Sequence, residues 1–134
     1  MANQTATVGL KERLTLMLSF PEEGTAAAYS VGIYSPIPGQ KDRWAFEQDL
    51  ATNEYYPDAR IDAFEFAAPA EANTRYLIYI TAEMSSVNAQ ASLVMKGAIH
   101  RGAITGEVIV ESETQSQISQ GGKVAVELRL YVET

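Results

Sequence analysis

The chain has 134 residues, of which 46% are hydrophobic and 20% charged, with a formal net charge of −7 and no cysteine. These values are typical of one ordinary folded domain, and the lack of cysteine excludes a disulfide scaffold, a cysteine nucleophile and thiolate metal sites. The acidic balance argues against nucleic-acid binding, because contact with the phosphate backbone needs a basic surface.

Apolar and polar residues alternate with a period of two from Val8 to Phe20. This pattern predicts a strand with one apolar face, because successive side chains of a strand point to opposite faces. A single strand from Thr5 to Phe20 would be roughly 50 Å long, far beyond the usual length. We therefore expect a break at Gly9 or Glu12, either as a bulge or as a hand-over to another sheet or to a neighbouring molecule. Residues 1–9 are a candidate extended N-terminal arm.

The next segment has the composition of a turn followed by a second strand. Pro21-Glu22-Glu23-Gly24 favours a turn, and apolar residues then alternate from Ala27 to Ile33. Residues 5–35 therefore resemble a β-hairpin. The segment 35–40 contains two prolines, which lack the N–H that a central strand donates, so we expect a loop there.

The segment 42–52 fits two different structures. Asp42 is a suitable N-cap for a short helix with Phe46 and Leu50 on one face, and we predict a short helix or irregular excursion here. The segment also alternates as a strand would, through Trp44, Phe46, Gln48 and Leu50.

Several further strands are predicted in the second half of the chain. They cover 60–66, 75–83, 105–113 and 124–132, with a loop at 67–73. The segment 75–83 has the nearly continuous apolar run of a central strand buried on both faces. The segment 89–99 fits either a strand or a helix that begins at Ser86. Gly121-Gly122 predicts a hairpin into the last strand.

Seven or eight strands with at most one short helix, near 42–52, predict an all-β protein. We expect a single domain over 1–134, built as an antiparallel β-sandwich or an orthogonal barrel. The chain contains no apolar run long enough to span a bilayer and no N-terminal signal pattern. We therefore expect neither membrane insertion nor a secretory signal.

The residues give little support for catalysis. His100 is the only histidine, and it lies in a glycine-rich stretch that predicts a turn, so we interpret it as a turn or surface residue. It has no cysteine or second histidine to share a metal or a proton transfer. The sequence also lacks the G-x-S-x-G elbow and the phosphate loops. We expect no enzyme activity, no metal and no cofactor.

Carboxylates are concentrated in the middle of the chain, at Asp42, Glu47, Asp49, Glu54, Asp58, Asp62 and Glu65. Their spacing does not match a calcium-binding loop. Basic residues lie among them, at Lys41, Arg43 and Arg60. We interpret this group as a solvated, ion-paired face.

Aromatic residues share this region with polar ones. Sugar-binding sites place planar rings beside amide and carboxylate groups, because rings stack on sugar faces while polar groups bind hydroxyls. Packing in the core and a protein interface are the alternatives. The candidate ligand-binding residues are Trp44, Tyr55, Tyr56 and Asp58.

Two functions follow from these observations. The first is a non-catalytic structural or assembly subunit that self-associates through strand edges, like a virion, tail or decoration component. An overlong N-terminal strand has spare hydrogen bonds that a neighbour's sheet satisfies. Such a subunit is made in the cytoplasm and incorporated into a homo-oligomer or particle. The alternative is a small lectin-like module that binds a glycan through the loop 36–58.

Overall fold

The computed structural model describes residues 5–20, 25–40, 43–55, 61–86, 91–118 and 123–134. These residues form nine strands and no helix. The strands are β1 (Thr5–Thr7), β2 (Arg13–Ser19), β3 (Thr25–Pro36), β4 (Trp44–Tyr55), β5 (Ile61–Ala67), β6 (Arg75–Ser86), β7 (Ala91–Arg101), β8 (Val108–Ile118) and β9 (Lys123–Glu133).

The strands form two sheets that pack as a single-domain β-sandwich. One sheet has five strands in the order β1-β9-β6-β3-β4, and the other has four in the order β5-β2-β7-β8. All neighbouring strands are antiparallel except β1, which runs parallel to β9. The all-β sandwich predicted from the alternating pattern is thus confirmed.

The core lies between the two sheets and is built from the alternating apolar residues. Leu14, Leu16 and Leu18 of β2 are fully buried, and they share one cluster with Ile80 of β6 and Leu130 of β9. Burial of such side chains is the main source of stability in a sandwich. The period-two pattern therefore identifies the buried face of β2 correctly, whereas Leu10, which belongs to the same pattern, is 55% exposed.

The overlong first strand is divided by a turn at residues 8–12. β1 lies in the five-stranded sheet and β2 in the four-stranded sheet, so the predicted break is a hand-over between sheets. The turn is closed by the Glu12 N–H, which donates to the Gly9 carbonyl oxygen at 3.2 Å, and Lys11 adopts a φ of 56°. Thr5–Thr7 pairs with β9 of the same chain, and residues 1–4 lie outside the described residues.

Glu12 holds this turn against the end of β7. One carboxylate oxygen accepts the Gly9 N–H at 2.8 Å, and both oxygens accept Nη1 of Arg101 at 2.6 and 2.8 Å. The Gly9 hydrogen bond, together with the Arg101 guanidinium, holds the pKa of Glu12 below its ordinary value. Glu12, the residue that interrupts the apolar alternation, thus stabilises the turn in which the chain passes from one sheet to the other.

Replacing Glu12 with glutamine is expected to lower the free energy of unfolding at neutral pH by about 1 kcal/mol, because charged acceptors form stronger hydrogen bonds. The folded pKa is lowered, so this stabilisation is present above the unfolded pKa and is lost as the pH falls through the folded pKa. Urea unfolding across the acid range measures this change. The difference between wild type and Glu12→Gln should shrink with acidification, and a constant difference would contradict the assignment. Glu111→Gln, at an exposed site, is the control.

The helix predicted near 42–52 is wrong, because this segment is part of strand β4. Trp44 pairs with Pro36 and Phe46 with Tyr34. The strand alternation through Trp44 and Phe46 was therefore the correct pattern. Backbone hydrogen bonds to β3 override the local N-cap preference at the start of the segment. Asp42 itself lies outside the described residues.

The two predicted hairpins are also wrong. β2 pairs with β5 and β7, whereas β3 pairs with β4 and β6, so residues 5–35 cross from one sheet to the other. β8 and β9 likewise belong to different sheets, and Gly121-Gly122 lies outside the described residues. Turn composition shows that the chain reverses, but the choice of partner strand depends on distant residues. The segment 89–99 falls mainly in β7, which confirms its strand interpretation.

Within the part of the chain that the structure describes, no helix could cross a bilayer.

Candidate functional site

A row of large side chains crosses the outer face of the five-stranded sheet. The pairing register places Phe46 beside Tyr34, Tyr34 beside Leu77, and Leu77 beside Tyr131, on four neighbouring strands. Ile78 points into the core, so its neighbour Leu77 and the rest of the row point away from it. The outer face of a sandwich strand is commonly polar, and a continuous apolar row there suggests a contact surface.

Neighbouring rings on this face are in contact. The centroids of Tyr34 and Phe46 are 5.6 Å apart, and those of Tyr34 and Tyr79 are 6.2 Å apart, with interplanar angles of 75° and 78°. Trp44 lies 5.9 Å from Tyr131 at 42°. The two edge-to-face pairs of Tyr34 stabilise the rings beyond their buried area. We call these five residues, Tyr34, Trp44, Phe46, Tyr79 and Tyr131, the aromatic surface.

Two arginines lie on the ring faces. The guanidinium carbon of Arg129 is 5.2 Å from the ring centroid of Tyr79, and that of Arg75 is 5.6 Å from the ring centroid of Tyr131. These are cation–π distances. Glu127 lies 3.6 Å from Arg129. It also accepts the Tyr79 hydroxyl, and this hydrogen bond raises the pKa of Tyr79. The arginines are thus held over the rings in a defined geometry.

The aromatic surface covers one outward apolar residue and exposes another. Leu77 is only 4% exposed although it points outward, because the rings around it cover it, whereas Phe46 is 59% exposed. A pocket of about 240 Å³ lies between Tyr34, Trp44, Leu77, Tyr79 and Arg129. This volume is below the roughly 300–1,000 Å³ of most small-molecule sites.

The Tyr34 ring packs directly against the backbone of Gly32. A Cβ atom at this position would be 3.0 Å from Cε1 of Tyr34, closer than ordinary side-chain contacts. Gly32 also pairs across the strand with Tyr79. A glycine at this position therefore allows the two tyrosine rings to meet over the bare backbone.

The structure separates the candidate residues that the sequence suggests. Trp44 begins β4 and lies in the aromatic surface, whereas Tyr55 ends β4 and pairs with Ala28. Their partners on β3, Pro36 and Ala28, are eight residue steps apart, which places Trp44 and Tyr55 roughly 26 Å apart, too far for one small ligand. Tyr56 and Asp58 lie outside the described residues.

Several residues of this face are not identified by the sequence analysis, namely Tyr34, Tyr79, Tyr131, Arg75 and Arg129. The sequence signal that could have identified them is the set of residues that alternate with the core residues and so lie on the outer face of each strand. On β9, Arg129 and Tyr131 alternate with core residues, and on β6 the apolar run 75–83 is explained by a core face and an aromatic face. β6 is the central strand of its sheet, as expected, and Leu77 on its outer face is buried, but Tyr79 on the same outer face is only partly buried, so burial of both faces is confirmed only in part.

The carboxylates of the middle region are divided between the two sheets. Glu47 and Asp49 lie on β4, and Asp62 and Glu65 lie on β5. Glu47 accepts a hydrogen bond from the Ser35 hydroxyl, and Glu65 pairs with Arg13. Among the described residues, no three histidine, aspartate or glutamate side chains are arranged to hold a metal ion. Asp42 and Asp58 lie outside the described residues.

The interpretation of His100 as a turn or surface residue is wrong. It belongs to β7, next to the turn at 102–107, and is 6% exposed. Its ring lies against that turn, with Nδ1 3.1 Å from the carbonyl oxygen of Gly106, and its pairing neighbour Thr15 is bound to the carbonyl oxygen of Gly102 in the same turn.

No family model matches this chain, and neither the curated proteins nor the solved structures contain a significant match to it. Its function is therefore inferred from the geometry of the aromatic surface.

Proposed function

We propose that this protein is a non-catalytic structural or assembly subunit, and that it self-associates mainly through the aromatic surface. The observation that supports this proposal is the continuous row from Phe46 to Tyr131 on the outer face. Tryptophan, tyrosine and arginine are the residue types that dominate interface hot spots. Rings that already pack against one another lose little conformational freedom on binding, which favours association.

The aromatic surface is a better candidate for the self-association contact than β4, the longer edge strand of the same sheet. The register of β4 shifts between Phe46 and Gln48, and Glu47 is the extra residue. Bulges and charges on edge strands hinder pairing with another chain. β5 is a regular edge of seven residues, which pairs within the described chain only with β2. Pairing at β5 would add to the contact through the face.

The second candidate function is a small carbohydrate-binding module. The pocket beside Trp44 favours it, because a ring and a nearby arginine can bind a sugar face and its hydroxyls. Two features favour a protein partner instead. Neighbouring rings are nearly perpendicular, so they do not share a plane on which a sugar chain could stack. Arginines also occupy positions over Tyr79 and Tyr131.

Replacing Trp44 with alanine is expected to weaken self-association about 30-fold, because removing a hot-spot side chain costs about 2 kcal/mol. Light scattering across a concentration series measures the dissociation constant. The control is Leu10→Ala, since Leu10 is 55% exposed but lies in the turn at residues 8–12, outside the aromatic surface. This control should associate as the wild type does. Circular dichroism checks that both variants remain folded.

A wild-type protein that stays monomeric at every concentration would contradict the self-association proposal. Binding to a glycan array would then support the second function, provided that Trp44→Ala abolishes it while the fold is unchanged. Equal weakening by Trp44→Ala and Leu10→Ala would show that the contact lies elsewhere.

A further inference from the structure

The outer face of the five-stranded sheet has a second half, beside the aromatic surface. A depression of about 520 Å³ lies there, and Tyr79 lines both this depression and the aromatic surface. Its other outward residues form two rows across β3, β6 and β9, with four short side chains and two carboxylates. We call these six residues the acidic depression: Ala28, Glu83 and Ala125 in one row, and Ser30, Thr81 and Glu127 in the next.

The two halves of the face differ in the size of their side chains. On β9, Ala125 lies at one end of the outward series and Tyr131 at the other, with the core residues Val126, Leu128 and Leu130 alternating between them. On β3, the outward series likewise begins with Ala28 and Ser30 and ends with Gly32 and Tyr34. Each of these strands therefore has short side chains in one half of the face and a large ring in the other.

The charges on β6 and β9 are divided in the same way. Arg75 and Arg129 lie over rings of the aromatic surface, whereas Glu83 and Glu127 belong to the acidic depression, and all four side chains are exposed. Glu133, at the end of β9, pairs with Arg75 at 3.2 Å. On these two strands the aromatic half therefore has an excess of positive charge, and the other half is negative.

A face with a large, cationic half and a small, anionic half is complementary to itself in one orientation. Two identical chains associate most often about a twofold axis, which brings the same face of both copies together. An axis that runs across the strands places the large half of each copy over the small half of the other. An axis along the strands instead sets rings against rings and carboxylates against carboxylates, and like charges in contact are unfavourable.

We propose that the protein is a face-to-face dimer whose twofold axis runs across the strands and passes over β6 between Tyr79 and Thr81. The acidic depression of each copy receives the aromatic surface of the other. This dimer rests on the proposed self-association, and it adds the orientation of the two copies and a second contact region that the aromatic surface alone does not include.

The position of the axis decides which residues meet. Residues at equal distances from it on the same strand of the two copies face each other, because the twofold axis reverses the strand direction. A large residue then lies over a small one, and a cation over a carboxylate. The facing pairs are Tyr34 with Ala28, Tyr131 with Ala125, and Arg129 with Glu127.

Replacing Ala125 with tyrosine tests whether the acidic depression takes part in the contact. Ala125 is exposed, so the chain can accept a ring there, but that ring takes the space of Tyr131 from the other copy. We expect self-association to weaken at least about tenfold, because overpacking of a well-filled contact is costly. Light scattering across a concentration series measures the dissociation constant, and normal association of Ala125→Tyr would overturn the proposal.

The control for this variant is Glu111→Tyr, at an exposed site on β8 of the other sheet, which should associate as the wild type does. Circular dichroism checks that the variants are folded. Should Ala125→Tyr fail to fold, Ala28→Tyr replaces it, since Ala28 faces Tyr34 of the other copy in the same way.

The double variant Ala125→Tyr/Tyr131→Ala tests the orientation. It moves the ring from one half of the face to the other within the same chain, so each new ring meets the space that the missing ring leaves in the other copy. We expect the double variant to associate at least about tenfold more tightly than either single variant, which is a favourable coupling between the two positions. Losses that simply add would overturn the orientation across the strands.

The same measurements separate this dimer from the proposed function. A wild-type chain that stays monomeric would contradict both. If the wild type self-associates and Trp44→Ala weakens it, while Ala125→Tyr does not, the self-association through the aromatic surface stands and the proposed dimer is overturned.

Discussion

Replacing Gly97 with valine is expected to lower the free energy of unfolding by about 3 kcal/mol, because this position lies where the two sheets touch. Gly97 is on β7 and faces the core. A Cβ atom here would be 3.3 Å from the Cδ1 atoms of Ile80 and Leu130 and 3.4 Å from that of Leu128. The two further methyl groups of valine have no space unless the sheets separate or several side chains leave their rotamers.

Gly97→Ala is the graded control for this prediction. Its single methyl group meets the flexible ends of three side chains, which can move by a few tenths of an ångström. We expect a change below about 1 kcal/mol, in contrast to valine. Urea unfolding of the three proteins under one condition measures both effects. If Gly97→Val were as stable as the wild type, the close packing of β7 against the opposite sheet would be wrong.

The parts of the fold that the sequence predicts well are those governed by period two. In β2 and β9, alternate apolar residues such as Leu16 and Leu130 are fully buried, and their neighbours point outward. Alternation reports directly which face of a strand meets the core, because that geometry is local. The prediction of a sandwich follows from several such strands in one short chain.

Strand partners are harder to predict from the sequence. The turn composition after Phe20 shows that the chain reverses direction, but β3 joins the other sheet and pairs with β6, about 50 residues later. A turn between two sheets and a turn within a hairpin have similar compositions. The stability of the whole core decides between them, and no short segment contains that information.

The aromatic surface combines both situations. The sequence predicts which residues of these strands face outward. Ile33, Ile78 and Leu130 face the core, so their neighbours in the chain face away from it. A shift of one residue in pairing would exchange these faces and bury the wrong residues. The sequence does not predict that these side chains meet on one face of the sheet, because Tyr34 and Tyr131 come from strands distant in sequence. Only Trp44 is identified in advance, through its local composition.

Replacing Gly106 with alanine is the second large change that we expect, with a loss of about 3 kcal/mol in the free energy of unfolding. A Cβ atom at Gly106 would overlap the carbonyl oxygen of Arg101 and lie 3.1 Å from that of Ala103. These neighbours are backbone atoms, so no change of rotamer relieves the overlap. The turn must move, which removes about three hydrogen bonds worth about 1 kcal/mol each.

Gly39→Ala is the matched control for Gly106→Ala. Gly39 adopts a φ of 75°, but no atom lies within 4 Å of the place that a Cβ atom would take, so alanine there carries only backbone strain of about 1 kcal/mol. Urea unfolding compares the two variants, and amide exchange shows whether the loss at Gly106 is confined to the turn at 102–107. Equal losses in both variants would mean that conformational strain, rather than overlap with Arg101, explains the glycine. A larger loss at Gly106 together with faster exchange of its turn would show that this glycine closes the site around His100.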